Sequence, residues 1–520
     1  MSGLPVDRRR FLESIAAASA GAVIPGARAA AQGPASSGGA APPLAACAAS
    51  GDVSADRAVI WARATEPSRI AVEYSVRPFL AQAARVIAPV GSAGSDFTTR
   101  VHLDGLPPGQ TISYRVRFDP LDRGRRAPDH VAGSFRTPPA GRGGVSFVWG
   151  GDVAGQGWGI DTARGGYRIF DAMRRAQPDF FIHSGDSIYA DNPILPEVTL
   201  ADGTVWRNMT TPEKSHVAET LADFRGNHRY NLLDGPLRAF QAEVPWVMQW
   251  DDHEVLNNWY PGETHGDKRY AERNVSLLAG RAQQAFLEYA PIRREAGRAG
   301  IYRTLRYGPS LDVFVLDLRA MRGANSTNRQ PALTPASRIL GAAQLRWLEE
   351  GLASSRATWK VIASDLPIGL AIPDGEHFEA IANGDGGPPL GRELEVVHLL
   401  RHIARRKVRN VVWLTADVHY AAAHHYHPER AAFRGFDPFW EFVAGPLHAG
   451  TFLPTPLDAT FGPEVKFVSV PPDMKPNRPP SEGLQFFGRG AIAAGSEELT
   501  VSLHDREGRQ LYSVDLAPAR

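Results

Sequence analysis

Acids and histidines recur directly after short apolar runs of the kind that form buried strands. Gly151-Asp152 follows 145–149, and Gly185-Asp186 follows 180–183. Asp251-Asp252-His253-Glu254 follows 244–248, Ser364-Asp365 follows 359–363, and Asp417-Val418-His419 follows 411–414. One acid after a strand is ordinarily the N-cap of the next helix. Five such strand ends, two of them with histidine attached, exceed what capping explains. In open α/β folds the ligand crevice lies at the carboxyl ends of the strands. Carboxylates gathered there repel one another unless a cation is present. The pattern therefore points to a metal site.

Elements able to position these residues are legible around them. From Pro138 to Gly144 the chain is turn-rich, and beyond it buried-type runs alternate with amphipathic stretches, a further run lying at 313–316. Leu345, Leu348 and Leu352 form one helical stripe; Val396, Leu399 or Leu400, and Ile403 form another. Such alternation predicts a largely buried sheet with helices outside it. Segments 191–243 and 256–300 are insertions rich in aromatics and proline, a composition suited to pocket walls. Before residue 138, the runs 57–63, 70–75, 100–103 and 112–118 alternate apolar and polar residues with no helical pattern between them. They predict a small β-sandwich over 44–138, carrying no site chemistry of its own.

The ends and the composition narrow the function further. Asp7-Arg8-Arg9-Arg10-Phe11-Leu12, the mildly apolar stretch from Ile15 to Ile24, and Ala27-Arg28-Ala29 have the layout of an export signal over 1–31, followed by a linker over 32–43. The paired arginines resemble a twin-arginine signal, whose machinery moves folded proteins. The mature chain is then expected to be exported, periplasmic or secreted, and it contains no other run long and apolar enough to span a membrane. A single cysteine, Cys47, excludes an internal disulfide and any multi-thiolate metal site. A net charge of +1 without a basic block gives no footprint for a dedicated nucleic-acid binder.

Several stretches also resemble a known family. Gly185-Asp186, Asp251-Asp252-His253-Glu254 and Asp417-Val418-His419 are similar to the GD…GNHE…GHxH series of calcineurin-like metallophosphoesterases. More narrowly, His183-Ser-Gly-Asp-Ser-Ile-Tyr-Ala-Asp191, Gln249-Trp-Asp-Asp-His-Glu254, Leu414-Thr-Ala-Asp-Val-His419 and Glu441-Phe-Val-Ala-Gly-Pro446 resemble PhoD-type alkaline phosphatases and phosphodiesterases. The resemblance covers most of 44–515 and implies an α/β sandwich, with mixed sheets and outer helices, as the catalytic domain over 145–515. It implies two adjacent metal positions bridged by Asp186. Asp152, Asp186, Tyr189 and His419 would hold the first, where Asp186-Ser-Ile-Tyr189 has the spacing at which purple acid phosphatases bind ferric ion through tyrosinate. Asp186, Asp252, Asp417 and Asp365 would hold the second. Asp365 and Asp252 stand where related enzymes carry histidine and asparagine, so the second position offers oxygen donors suited to Ca²⁺, Mg²⁺ or Mn²⁺. The chain departs from part of the family at Asp152, where some members have cysteine; the identity of the first metal is open there.

His253 is implied as the residue that protonates the leaving oxygen or stabilises its charge. Gly226-Asn227-His228 imitates the same motif but lies in a helical stretch without a preceding strand. Arg225 could reach a substrate phosphate or make a surface ion pair, and Arg319 and Arg322 raise the same question. His424, His425 and His427 follow the last motif, either supporting the site or standing in a solvated loop. The expected reaction is hydrolysis of small phosphate monoesters or diesters by a water or hydroxide that the cations acidify. Two alternatives stay open. One is a phospholipase D-like or nucleic-acid-directed phosphodiesterase, and the other is a non-catalytic exported metal-binding protein.

Overall fold

The computed structural model describes residues 44–122, 130–293 and 300–519. The export signal and the linker predicted for 1–31 and 32–43 lie outside the described residues. No helix among the described residues is long and apolar enough to cross a membrane.

The N-terminal part contributes strands β1 Cys47–Gly51, β2 Arg57–Arg63, β3 Ser68–Ser75, β4 Ala84–Ile87, β5 Thr98–Asp104, β6 Thr111–Pro120 and β7 Val131–Arg136. The strands β8 Val145–Gly150, β9 Phe180–Ser184 and β10 Trp246–Gln249 follow, interleaved with helices α1 Ile169–Arg175, α2 Leu221–Asn231 and α3 Gly235–Glu243. After helix α4 Val275–Tyr289 come β11 Arg303–Tyr307, β12 Leu311–Val315, helix α5 Ala342–Ser354, β13 Trp359–Ala363, helix α6 Glu393–Arg406 and β14 Val411–Thr415. The chain closes with β15 Ala422–Tyr426, β16 Phe439–Val443, β17 Pro463–Val468, β18 Phe486–Ile492, β19 Leu499–Asp505 and β20 Gln510–Leu516.

These strands build two large sheets packed face to face. One runs β20-β19-β18-β8-β9-β10-β1-β2-β5 and the other β11-β12-β13-β14-β16-β15-β17. The central neighbours β8, β9 and β10 are parallel, as are β12, β13, β14 and β16. The period-2 alternation of a strand sorts their side chains between layers. Phe147, Phe180, Ile182 and Val247 point into the core shared with Val313, Val361 and Leu414 of the other sheet. Their neighbours Val148, Phe181, Trp246 and Met248 join the core beneath α1, α3 and α4. Both faces of each central strand are buried, so these strands read as continuous apolar runs. The expected α/β sandwich with outer helices is the observed architecture.

The N-terminal β-sandwich is present, with β4-β3-β6-β7 as one of its sheets. Its other sheet is not separate. The strands β1, β2 and β5 extend the first large sheet, where β1 runs parallel to β10 through Gly51 and Trp246. Ala48, Ile60 and Val101 pack against Ile70, Val72 and Val116 on the sandwich side. Cys47, Ala49 and Trp61 face the helical core on the other.

Candidate metal centre

Parallel strands of both sheets end at the same edge of the sandwich, and each predicted acid follows one of those ends. Asp152 lies just after β8, Asp186 after β9, Asp251 and Asp252 after β10, Asp365 after β13, and Asp417 and His419 after β14. Three groups of ligand atoms converge there, each within 4.8 Å of one another. They are Asp152 with Asp186 and His419, Asp186 with Asp252 and His253, and Asp251 with Asp252 and Asp417. Asp186 is shared by the first two groups and Asp252 by the last two, so the groups form one chain of donors.

Backbone geometry at these turns is demanding. Asp152, Asp186, Asp417 and His419 all have left-handed φ, between 50° and 70°, which for a non-glycine residue costs on the order of 1 kcal/mol or more. The surroundings hold them there. Glu254 accepts hydrogen bonds from the Asp186 amide at 3.1 Å, the Ser187 amide at 2.6 Å, the Ser187 hydroxyl at 2.7 Å and the Asp251 amide at 2.7 Å. One carboxylate thus stitches the turn after β9 to the turn after β10. Gly185, at φ +93°, allows this approach, since a Cβ there would lie 2.4 Å from the Asp251 side chain. Gly155 similarly leaves room for the Tyr189 ring, which a Cβ would meet at 2.5 Å. Across the sandwich, Gln249 at the end of β10 donates to the carbonyls of Leu316 at 3.2 Å and Ala363 at 2.9 Å, bolting the two sheets together beside the site.

Tyr189 and His419 complete the first group. His419 Nδ1 lies 2.5 Å from the Gly450 carbonyl and must donate to it. That tautomer leaves the Nε2 lone pair directed at the Tyr189 hydroxyl, 2.9 Å away, and at Asp152 Oδ1, 3.5 Å away. A fixed tautomer presenting a lone pair is what a metal-ligating histidine requires. His253 is oriented in the same way. Its Nδ1 pairs with Asp191 Oδ1 at 2.7 Å, and Asp191 Oδ2 accepts the Asn257 amide at 3.0 Å. Its Nε2 faces Asp252 at 3.9 Å, its amide donates to Asp186 Oδ1 at 3.1 Å, and its ring lies 4.3 Å from that of Tyr189.

The electrostatics call for cations. Burial, reinforced by Asp252 and Asp251, holds the Asp186 carboxyl well above its ordinary range. Burial and then Asp251 do the same to Asp365, and burial pushes Glu254 up to about 7. Asp365 is fully buried and accepts no hydrogen bond on either oxygen among the described residues; the Arg319 Nε, at 3.4 Å, is the cation beside it. Carboxylates in a dry site stay ionised only when positive charge faces them. Oxygen donors with one imidazole and one phenol fit hard metal ions.

Arg319 was open in the sequence between substrate arm and surface pair, and it is neither. Its guanidinium is wholly buried, binds Asp251 and Glu379, the latter at 2.6 Å, and lies 3.9–4.0 Å from Asp417 and Asp252. Arg322, also buried, meets Glu379 at 3.5 Å. A fixed positive charge thus sits among the acids of the third group. Arg225 is not brought to the site. It makes a two-pronged ion pair with Glu288 at 2.6 and 2.7 Å and donates to the Gly94 carbonyl at 2.7 Å. A guanidinium committed in this way is a structural clamp, the ion-pair alternative of the two readings its sequence left open. His424 pairs with Glu441 at 3.0 Å, and Glu441 also accepts the Ile368 amide at 2.6 Å, steadying the loop that carries Asp365. His425 packs on Trp440, and His427 caps a short turn. Asn227 and His228 lie within α2, as the absence of a preceding strand predicts.

Asp191, Asp251, Glu254 and Glu379 carry much of this geometry, although the sequence reading assigned none of them a role. Asp191, Asp251 and Glu254 do lie in the motifs quoted above, which is the signal that could have found them; Glu379 lies in none.

Comparison with known proteins follows the same lines. The model of the PhoD-like phosphatase matches residues 147–503, and that of the PhoD-like phosphatase N-terminal domain matches residues 28–139. Alkaline phosphatase D of Bacillus subtilis (strain 168) is 28% identical over 451 residues, 81% of this chain and 72% of that protein. Among solved structures, that of PhoD superposes with a TM-score of 0.66 at 21% identity, covering 91% of this chain and 93% of the other. Purple acid phosphatase PPD1 from yellow lupin (Lupinus luteus) seeds gives 0.54 at 12% identity, covering 91% of this chain and 75% of the other. The two solved structures share the fold.

Proposed function

The chain belongs to the PhoD-like phosphatase family and is a phosphoesterase, and from that premise we propose that it is an exported, metal-dependent enzyme acting on phosphate monoesters, diesters or both. The observation that carries metal dependence is the sharing of Asp186 between two groups of convergent ligand atoms. Asp152, Asp186, Tyr189 and His419 would hold one ion, with ferric ion the expected occupant because phenolate and carboxylate are hard donors. Asp252, Asp365 and Asp417 would hold the second together with Asp186, with Ca²⁺, Mg²⁺ or Mn²⁺ expected. Arg319 lies close enough to these acids to share their charge. When bound, the two ions would supply Lewis acidity toward the phosphoryl oxygens and acidify water.

The protein's own part is orientation and proton transfer. Asp191 holds the proton on His253 Nδ1, which leaves Nε2 to face the site. Protonated at both nitrogens, the imidazole can donate from Nε2 to the leaving oxygen while Asp191 balances its charge. Lys214, buried beneath the site, donates to the Tyr189 carbonyl at 2.6 Å and fixes the backbone that presents the phenol. The twin-arginine-like N-terminus supports export of the folded chain.

Elemental analysis and kinetics on two variants test this reading. Asp186→Asn is expected to abolish activity and lower bound metal. His253→Ala is expected to lower turnover by about 100-fold or more with metal retained. Because His253 also belongs to one convergent group, full metal loss in that variant would sink its role as the acid. Rates on a monoester, a diester and a phospholipid, measured on one preparation, decide the substrate class.

A further inference from the structure

A second polar site lies at the opposite end of the second sheet from the acid cluster. A cavity of about 630 Å³ opens where β13 and β14 begin, roughly 15 Å of strand away from Asp365 and Asp417. Arg142, Arg356, Lys360, Arg406, Lys407 and Arg409 line it, and Glu497 is the one acid among its lining residues. Glu497 is already engaged. It pairs with Arg142 at 2.9 Å and accepts the hydroxyls of Ser310 and Thr358, each at 2.9 Å. Arg406 and Lys407 stand at the C-terminal end of α6, where positive charge complements the helix dipole. Arg356 likewise stands just past Ser355, the C-cap of α5, whereas Arg142, Lys360 and Arg409 stand on loops or a strand. Arg356, Arg406 and Lys407 have no carboxylate partner among the described residues.

Lys360 is the most telling of the six. It is 8% exposed, and its ammonium makes one hydrogen bond among the described residues, a long one of 3.5 Å to the Thr358 carbonyl. Asp312, opposite it in the strand register, is a counter-charge to this ammonium, and its Oδ2 also accepts the Ser355 hydroxyl at 2.6 Å. Asp312 beside Lys360 and Glu497 beside Arg142 are two carboxylates against six lining cations, so an anion joining them lowers the cost of gathering that charge. Guanidinium forks match phosphate oxygens in pairs, and the cavity has the size of a small-molecule site rather than of a single ion. We propose that this cavity is a binding site for a multiply charged phosphate anion, distinct from the catalytic centre. The phosphate is either free in solution or carried on a lipid head group.

Calorimetric titration of the metal-loaded protein with inorganic tripolyphosphate tests the proposal. The wild-type chain is expected to show two binding events. The variant Arg356→Ala/Lys407→Ala, altered only at exposed side chains, is expected to lose one of them or weaken it at least about tenfold. Its kcat/KM on p-nitrophenyl phosphate should stay unchanged. Lys360→Met serves as a second variant and should lose the same event. Co-sedimentation with phosphatidylcholine vesicles, with and without cardiolipin, separates the two sources. Cardiolipin-dependent binding lost in both variants, without a second tripolyphosphate event, assigns the head group. Equal tripolyphosphate titrations and equal vesicle binding in wild type and variants would overturn the proposal. So would an equal loss in kcat/KM, which would tie the cavity to the active site. Loss of hydrolysis by the wild-type chain itself would instead bear on the phosphoesterase reading.

Discussion

Asp191 reaches the site only through His253, so its contribution lies in one proton and one ring orientation. The 2.7 Å contact to Nδ1 fixes which nitrogen faces Asp252. Asparagine in its place can offer Nδ1 an amide donor as well as an acceptor, so the ring is no longer held to one tautomer or one orientation. Asp191→Asn is therefore expected to lower kcat by roughly 10- to 100-fold, with KM and bound metal nearly unchanged. A pH–rate profile that keeps its wild-type shape and height in this variant would show that Asp191 merely packs the loop. The left-handed turns at Asp152, Asp186, Asp417 and His419 belong to the same scale. Each is a strained residue whose side chain is a proposed ligand, and Glu254 and its four donors oppose the relaxation of the Asp186 turn.

The parallel strands of the core were legible in the sequence because both faces of each are buried. The run 359–363 coincides with β13, and 180–183 falls inside β9. The strands β18, β19 and β20 on one side of the first sheet were not read, and β18 shows why. Gly488 and Gly490 lie against the rings of Trp149 and Phe147, so two inward positions of this strand carry no apolar side chain to signal it. The ligands on strand ends were legible as repeated acids, whereas Arg319 and Glu379 have no local pattern that separates a buried charge from an exposed one. The joining of β1 to β10 was hidden for another reason, since it pairs residues as distant as Gly51 and Trp246. Cys47, on β1, offers a probe of that joint. Burial pushes its thiol up to about 12 from an unfolded value of 9.0, against the opposing pull of Arg63 and Arg238. Below pH 9 the thiol is neutral in both states. Between 9 and 12 the unfolded chain ionises and the native one does not, so stability falls as pH rises, by up to about 1.4 kcal/mol per pH unit. Urea unfolding should show this slope in the wild type and a shallower one in Cys47→Ala. At pH 8 the native thiol should resist a disulfide reagent that titrates it fully in urea; rapid native reaction would mean that β1 detaches.

At the scale of the whole molecule, the N-terminal sandwich is held to the catalytic layers by charge as well as by the shared sheet. Asp96 binds Arg63 at 3.2 Å and Arg229 of α2 at 2.7 Å, and it accepts the hydroxyl of Tyr289 of α4. Asp52, at the end of β1, takes a two-pronged pair from Arg303 of β11, whose other nitrogen donates to the Met248 carbonyl of β10 at 3.0 Å. Arg225 belongs to this seam, since it links α2 to Glu288 of α4 and to Gly94 of the sandwich. The ion pair is only 12–13% exposed, so removing the guanidinium leaves Glu288 poorly compensated. Arg225→Ala should cost about 1–3 kcal/mol of stability. It should leave kcat/KM within about twofold of wild type on any phosphate ester that the chain hydrolyses, because the side chain is anchored at the seam. Unfolding curves and kinetics on the same preparation separate the two outcomes. A tenfold rise in KM with an unchanged unfolding midpoint would mean that Arg225 leaves Glu288 to bind substrate, and the seam would then be part of the active site.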